Sequence, residues 1–477
     1  MNTTLLASAA FLIGAMIGPV SDLCGKHFVR TSGINAAYAQ DEGAPGTYRL
    51  LKLFGGVFEL ARSEYVDPVS DNELIEHAIS GMLVGLDPHS DYLNAEAFRE
   101  MQEADKGEFV GIGIEITREN GFVRVISPID DTPAARAGIK AGDYILALNG
   151  KPVEALSLDD TMRKMRGPPN TKITLTIRRA GIDHPLVVSI QRRTIRIQVV
   201  KQRLERGNIG YVRATEFIEP VDAALKHAVR SLERQAGGRL TALVLDLRDN
   251  PGGLLDTAVA VAREFVPRGE IASTRGRYEE DSEWVAANGT DILKGAPMVV
   301  LINSGSASAS ELVAGALQDH RRAVLLGTRT FGKGSVQTTI PLSGGGAMLL
   351  TTARYYTPSG RSIQGKGIVP DVLVAGSQDE KPHFDLEHEA DFNHVLRDLG
   401  GGSDSDEPSR ADLPPIVRTI PNRPPRDFPT FDPARPETDF QLQQALVIAE
   451  AMATARERTS AGSGPESGDT SHRGFRK

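Results

Sequence analysis

The chain has 477 residues, 40% of them hydrophobic, and a formal net charge of −8. That length suits two to four domains, and the hydrophobic content can fill their cores. The acidic balance argues against a nucleic-acid partner. No metal-ligand cluster and no dinucleotide fingerprint is present, so no metal and no cofactor is expected.

Leu5 to Val20 is largely apolar but short for a membrane span. Ala37-Tyr-Ala39, followed by the polar Gln40-Asp-Glu, reads as a signal-peptidase site and suggests export to the periplasm or cell envelope. No Lys or Arg precedes the apolar run, and the cleavage site lies well beyond it. Residues 1–39 are therefore a signal peptide or an N-terminal anchor. The single cysteine, Cys24, precedes the cut, and a mature chain without it tolerates the periplasm but does not prove it. Residues 46–105 read as a helical N-terminal region. Leu50, Leu53, Phe54, Val57 and Leu60 share a face, and Leu74, Ile75, Ile79, Met82 and Leu83 continue the pattern. Packing on the core is the favoured use of that face, with dimerisation as the alternative.

Residues 106–192 read as a small β-domain. Gly107-Glu-Phe-Val-Gly-Ile-Gly-Ile-Glu-Ile116 is followed by Val123-Arg-Val-Ile126 and by Pro133 to Asp143. Tyr144-Ile-Leu-Ala-Leu-Asn-Gly150 is a strand running into an Asn-Gly turn. Together these resemble a bacterial PDZ domain. The resemblance implies that a peptide adds as a strand while backbone amides of a Gly-Φ-Gly-Φ loop hold its terminal carboxylate. That loop is Val110, Gly111, Ile112, Gly113 and Ile114, with Leu158 to Met165 as the flanking helix. A merely structural β-domain is the plainer reading.

Residues 193–375 alternate strands and helices, which argues for an α/β core of βαβ units. Strands are expected at Ile209 to Arg213, 243–247, 298–302 and Ala323 to Gly327. Pro297 to Ile302 ends in Asn303-Ser-Gly-Ser-Ala-Ser-Ala-Ser-Glu311, and Leu312, Val313, Ala316 and Leu317 then recur with helical spacing. Ser308 thus sits near a helix N-terminus, where free N–H groups favour developing negative charge, and Ala309 N–H is a natural oxyanion donor. Phe331-Gly-Lys-Gly334 supplies a glycine-flanked lysine. Burial without a counter-ion can bring Lys333 into the range of a general base for a serine nucleophile. Gln337 shares a strand face with Lys333 and can orient it without stabilising its charge. Leu243 to Leu247, the Gly252-Gly253 turn and a following helix form a second strand-turn-helix unit. A helix-capping role for the serines is the bland competitor. Gly327 to Gly334 also nearly matches a phosphate-binding loop, but Gly334 stands where Ser or Thr is required. Asp319 and His320 fall at the far end of the Ser308 helix, about 16–18 Å away at 1.5 Å per residue, too far for a direct triad.

In order along the chain, Leu86-Asp-Pro-His-Ser-Asp-Tyr-Leu93, Asp246-Leu-Arg-Asp-Asn-Pro-Gly-Gly253, Ser-Ala-Ser-Ala-Ser-Glu311, Gln318-Asp319 and Phe-Gly-Lys-Gly334 with Gln337 resemble the C-terminal processing peptidases, or tail-specific proteases. The resemblance spans roughly residues 50–375. It implies a crotonase-like, ClpP-like core with the PDZ domain inserted. It also implies Ser308 as nucleophile, Lys333 as base, Gln337 as its orienting partner, and an oxyanion hole from Ala309 and Gly253. Asp319 is read as structural support. By the same resemblance Arg166 couples occupancy of the PDZ groove to the catalytic centre, with helix-dipole stabilisation as the rival role.

From 376 to 477 the character changes. Residues 401–435 are rich in Pro, Asp, Ser and Arg and are expected to lack a packed core. Phe440 to Met452 reads as one helix, an oligomer contact, and the tail from Thr459 as disordered. The expected partners are polypeptides with exposed C-terminal tails, with an adaptor protein and a homo-oligomer left open. A non-catalytic PDZ scaffold is the chief rival. A hydrolase of small acyl substrates leaves the β-domain unexplained.

Overall fold

The computed structural model describes residues 44–119, 122–129, 131–154, 156–378, 388–397 and 413–462. Residues 1–39, with Cys24 and the export signal, lie outside them, as does the tail beyond 462.

The described residues 44–74 belong to a unit of their own. It contains the helix Ala44–Glu64, and Leu50, Leu53, Phe54, Val57 and Leu60 on that helix are exposed. An apolar stripe shows that a helix has a face to bury, not where the burial occurs.

The remaining unit is built on a six-stranded sheet. In spatial order the strands are Val200–Glu205, Ile209–Ala214, Ala242–Asp246, Met298–Ile302, Val324–Gly327 and Val372–Leu373. The first pair is antiparallel and the rest are parallel. Their sequences are continuous apolar runs because both faces are covered. Leu243, Leu245, Val300 and Ile302 point into one core with the helices Val221–Gln235, Leu255–Arg263 and Ala309–Asp319. Val244, Val299 and Leu301 point into the other, against Phe440, Leu442, Leu446 and Ile448. This is the expected βαβ core.

Those last residues belong to the helix Phe440–Gly462. Its apolar side chains are buried within their own chain, whereas the sequence suggests an oligomer contact. Leu413, Ile416, Val417, Ile420 and Phe428 pack on the same core. The segment 413–435 is thus not devoid of packing: a proline-rich chain that forms no long element can still place single apolar side chains on a helix and sheet laid down elsewhere.

A second sheet is antiparallel. Ala347–Tyr356 pairs with Ser335–Pro341, Asp91–Leu93 and Glu270–Gly276. A third is formed by Ile114–Glu119, Phe122–Pro128, Tyr144–Leu148, Lys172–Arg178 and Leu186–Gln191 around its own core of Val123, Val125, Ile145, Ile173 and Leu175. Glu108–Gly111 pairs with Arg193–Arg196, so the chain enters and leaves this β-domain side by side, as an insertion requires.

Candidate active site

Three neighbouring parallel strands, Ala242–Asp246, Met298–Ile302 and Val324–Gly327, end at the same edge of the sheet. The turns that follow them carry Gly252-Gly253, Ser308 and Lys333 respectively. Crevices outside the carboxyl ends of parallel strands are where α/β folds place their chemistry.

Ser308 is the N-cap of the helix Ala309–Asp319 and has φ 55° and ψ −117°. A non-glycine residue there is strained by about 1–3 kcal/mol and persists only when its surroundings hold it. The holder is Glu311, which is fully buried. Its carboxylate accepts from Ser308 N at 2.8 Å, Lys333 N at 2.9 Å and Gly332 N at 2.7 Å, and from the Thr330 hydroxyl. One side chain thereby fastens the serine turn to the lysine loop. Burial raises the Glu311 pKa to about 7, against the pull of those four donors.

Gly252 has φ 102°, and a Cβ there would lie 2.8 Å from both Ala307 O and Ser308 Cβ. Only glycine lets the turn come this close to the serine. Gly252 N donates to Asn250 Oδ1 at 2.9 Å. The N–H groups of Gly253 and Ala309 have no partner among the described residues. Below this turn, Arg248 is buried and bonded to Asp246, to Asp439 and to Gln441, so the start of the C-terminal helix braces the glycine turn.

Burial lowers the Lys333 pKa, and the charges of Glu389, Asp87 and Glu311 oppose the shift. The lysine is desolvated as expected but does not lack counter-charge. Glu389 lies in a short turn after the core and is buried. It accepts from Gln364 Nε2 at 2.9 Å and pairs with His89 Nε2 at 2.8 Å. Its own N–H donates to Phe331 O at 3.1 Å, while Gln364 Oε1 accepts from Gly334 N at 3.0 Å. The Phe331–Gly334 loop is therefore gripped at both ends.

Gln337 donates to Ser335 Oγ at 2.9 Å and Thr351 Oγ1 at 3.1 Å rather than to a group on Lys333. Thr351 in turn donates to Asp87 at 3.1 Å. Ser308 Oγ shares a hydrogen bond with Tyr355 OH at 2.6 Å. Ser308, Lys333, Gly253 and Ala309 are thus gathered on adjoining turns, with no hydrogen bond between Ser308 and Lys333 among the described residues. Asp319 bonds Arg361 and Ser359 N, and His320 bonds Glu270 O, so both serve packing.

In the β-domain, Ile114–Glu119 is an edge strand. The N–H groups of Ile112 and Gly113 have no partner among the described residues, whereas Val110 and Gly111 are paired in register with Thr194 and Arg193. Leu158–Met165 is a helix as expected. Arg166, just beyond it, lies 3.8 Å from Glu100 and over the Phe109 ring. Among the described residues it has no hydrogen bond or ion pair with Ser308, Lys333 or Gln337.

Residues 208–374 match peptidase family S41, 124–179 match a PDZ domain, and 25–97 match the activating protease CtpB N-terminal domain. A carboxy-terminal-processing protease of Bartonella bacilliformis is 52% identical over 336 residues, 70% of this chain and 77% of that one. The chain belongs to peptidase family S41. A probable CtpA-like serine protease of Staphylococcus aureus is 38% identical, over 68% of this chain and 64% of that protein. Among solved structures, a photosystem II D1 C-terminal processing protease is 31% identical, with a TM-score of 0.43, over 69% of this chain and 86% of that one. This S41 peptidase is a serine protease whose fold carries a PDZ domain. No helix among its described residues is long and apolar enough to cross a membrane.

The sequence motifs single out the candidate site but give no role to Glu311, Asp87 or Arg248, although all three lie inside them. Tyr355, Thr351 and Glu389 carry no local signal, because each acts through a contact distant in sequence.

Proposed function

We propose that the chain is a serine endopeptidase that selects proteins by their C-terminal tails and cleaves them through an acyl-enzyme. The observation that carries this reading is the Glu311 clasp, which holds a strained Ser308 and a desolvated Lys333 on one carboxylate. Lys333 as free amine takes the Ser308 proton while Oγ attacks the scissile carbonyl. Gly253 and Ala309 N–H groups receive the oxyanion, each such donor being worth about 2.7–4 kcal/mol. The lysine then protonates the leaving amine and activates the water that clears the ester. Gln337 orients the lysine once its amide turns from Thr351.

The substrate tail adds to the free edge of Ile114–Glu119, its carboxylate on the amides of the Val110–Ile114 loop, those of Ile112 and Gly113 being unpartnered. Arg166 couples that groove to the peptidase core through Glu100 and Phe109. Residues 1–39 direct the chain to the periplasm or cell envelope, 46–105 form a helical N-terminal region, 106–192 the PDZ domain, 193–375 the core and 376–477 a C-terminal extension.

The test tracks cleavage of a protein with an unstructured apolar C-terminal tail by the parent enzyme, Ser308→Ala and Lys333→Ala. Loss in both folded variants is the expected result. Tail binding without cleavage by the parent would favour a scaffold. Activity surviving Lys333→Ala would remove the lysine as base.

A further inference from the structure

Ser308 Oγ is the attacking atom in the proposed mechanism, and the role assigned below to its neighbour rests on that reading. Its hydrogen-bond partner among the described residues is Tyr355 OH, at 2.6 Å. Tyr355 ends the long strand Ala347–Tyr356 with Tyr356, is 3% exposed, and donates its N–H to Gly334 O at 2.9 Å. The Tyr355 backbone is thus tied to the residue after Lys333, and its hydroxyl has no second partner among the described residues. Burial pushes the phenol pKa well up; the charges of Glu311 and Glu389 push it the same way, and the Ser308 hydrogen bond opposes them. The phenol keeps its proton wherever Lys333 can lose one. It is therefore no base. Either hydroxyl can donate across the 2.6 Å contact; once Lys333 as free amine takes the serine proton, the hydrogen left to fill it is the phenol's.

We propose that Tyr355 is a further catalytic residue, a fixed hydrogen-bond donor to Ser308 Oγ that stabilises this oxygen whenever it carries charge. In acylation the Oγ proton passes to Lys333 Nζ, the Oγ–carbon bond forms, and the carbonyl electron pair moves onto the oxyanion. Tyr355 retains its proton throughout, and its hydrogen bond is strongest as the alkoxide develops. In deacylation water gives a proton to Lys333 as it attacks. The Oγ–carbon bond then breaks, and Oγ leaves with the electron pair, still held by Tyr355, and recovers a proton from Lys333. The two oxygens that bear charge have separate donors: Gly253 and Ala309 serve the substrate oxygen, Tyr355 the enzyme's own.

Tyr355→Phe removes the hydroxyl and keeps the ring. The expected result is a fall in kcat of about 10²-fold, the worth of a hydrogen bond to a charged oxygen, with KM and the thermal midpoint near those of the parent. 3-Fluorotyrosine at position 355, a slightly stronger acid and better donor, should cleave at the parent rate or faster. A Phe variant as fast as the parent, or faster, overturns the proposal, since the hydroxyl would then be idle or would hold Oγ away from Lys333. A loss seen in KM and stability rather than kcat overturns it in favour of packing. Should the Phe variant fail to fold, the fluorinated enzyme decides: a slower rate means the phenol accepts rather than donates. Cleavage by Ser308→Ala or Lys333→Ala would instead bring down the underlying serine-lysine mechanism, an outcome distinct from any of these.

Discussion

Glu311→Gln tests whether one carboxylate both organises and burdens this site. The folded pKa of about 7 stands above the ordinary 4.5 because the group is wholly buried. Below pH 4.5 the carboxyl is protonated in folded and unfolded chains alike, and it adds nothing to the pH dependence. Between 4.5 and about 7 the unfolded chain releases the proton first, so stability falls as pH rises. At 1.36 kcal/mol per unit, that amounts to about 3 kcal/mol, and above 7 the loss is complete. Activity runs the other way, because only the carboxylate can accept from Ser308 N, Lys333 N, Gly332 N and Thr330 together. Glutamine keeps the shape but turns an NH2 toward one pair of donors and strands at least one backbone N–H, a cost of about 1–3 kcal/mol. Urea unfolding from pH 4 to 8 should show the parent losing stability across this window and Glu311→Gln losing markedly less. The variant should also cleave at least 10-fold more slowly at pH 8, from misplacement of Ser308 and Lys333. A variant with the parent's stability slope would refute this reasoning, since the titrating group would then lie elsewhere.

The charge of Glu389 raises the Lys333 pKa against the effect of burial. Glu389→Gln should therefore lower it further and move the ascending limb of kcat/KM to lower pH; a limb that stays put removes Glu389 from the lysine's electrostatics. Asp439→Ala leaves the buried Arg248 guanidinium with Asp246 and Gln441 alone. Breaking a buried pair costs about 3–5 kcal/mol, and because Asp246 remains, a loss near 3 kcal/mol in chemical denaturation is expected, with a fall in kcat as the glycine turn loosens. Arg166→Ala should slow cleavage of a tailed protein while leaving the unfolding free energy within about 0.5 kcal/mol of the parent's, as its side chain is 44% exposed; an unchanged rate would end its proposed coupling role.

The parts of the site that are legible in the sequence are those in which a local pattern dictates a local shape. The apolar run Met298–Ile302, a small-residue turn and a helical repeat are enough to place Ser308 at a helix start. The paired glycines after Asp246 predict a close approach, and both have the positive φ that makes it feasible. The parallel sheet itself follows from alternating strand and helix patterns. Sequence conveys poorly any partnership at a distance. Gln337 lies on the strand that follows the lysine loop, with a register shift between Val336 and Gln337, and its amide is bonded to Ser335 and Thr351. His89 and Glu389 are 300 positions apart and meet at 2.8 Å. The apolar stripe on Ala44–Glu64 announces burial without naming what covers it, and the proline-rich stretch near 420 hides several packed side chains behind a composition typical of loose chain.

Asp87 and His89 come from ahead of the PDZ insertion, Glu389 and Asp439 from beyond the core, and all four converge on the lysine loop or the glycine turn. A ribosome delivers these pieces in sequence. When Ser308 and Lys333 have emerged, the brace for Arg248 and the partner for His89 are still to be made. The contacts that brace the proposed site thus wait on residues as late as Asp439, so a chain still short of them lacks the support its glycine turn and lysine loop have in the finished protein.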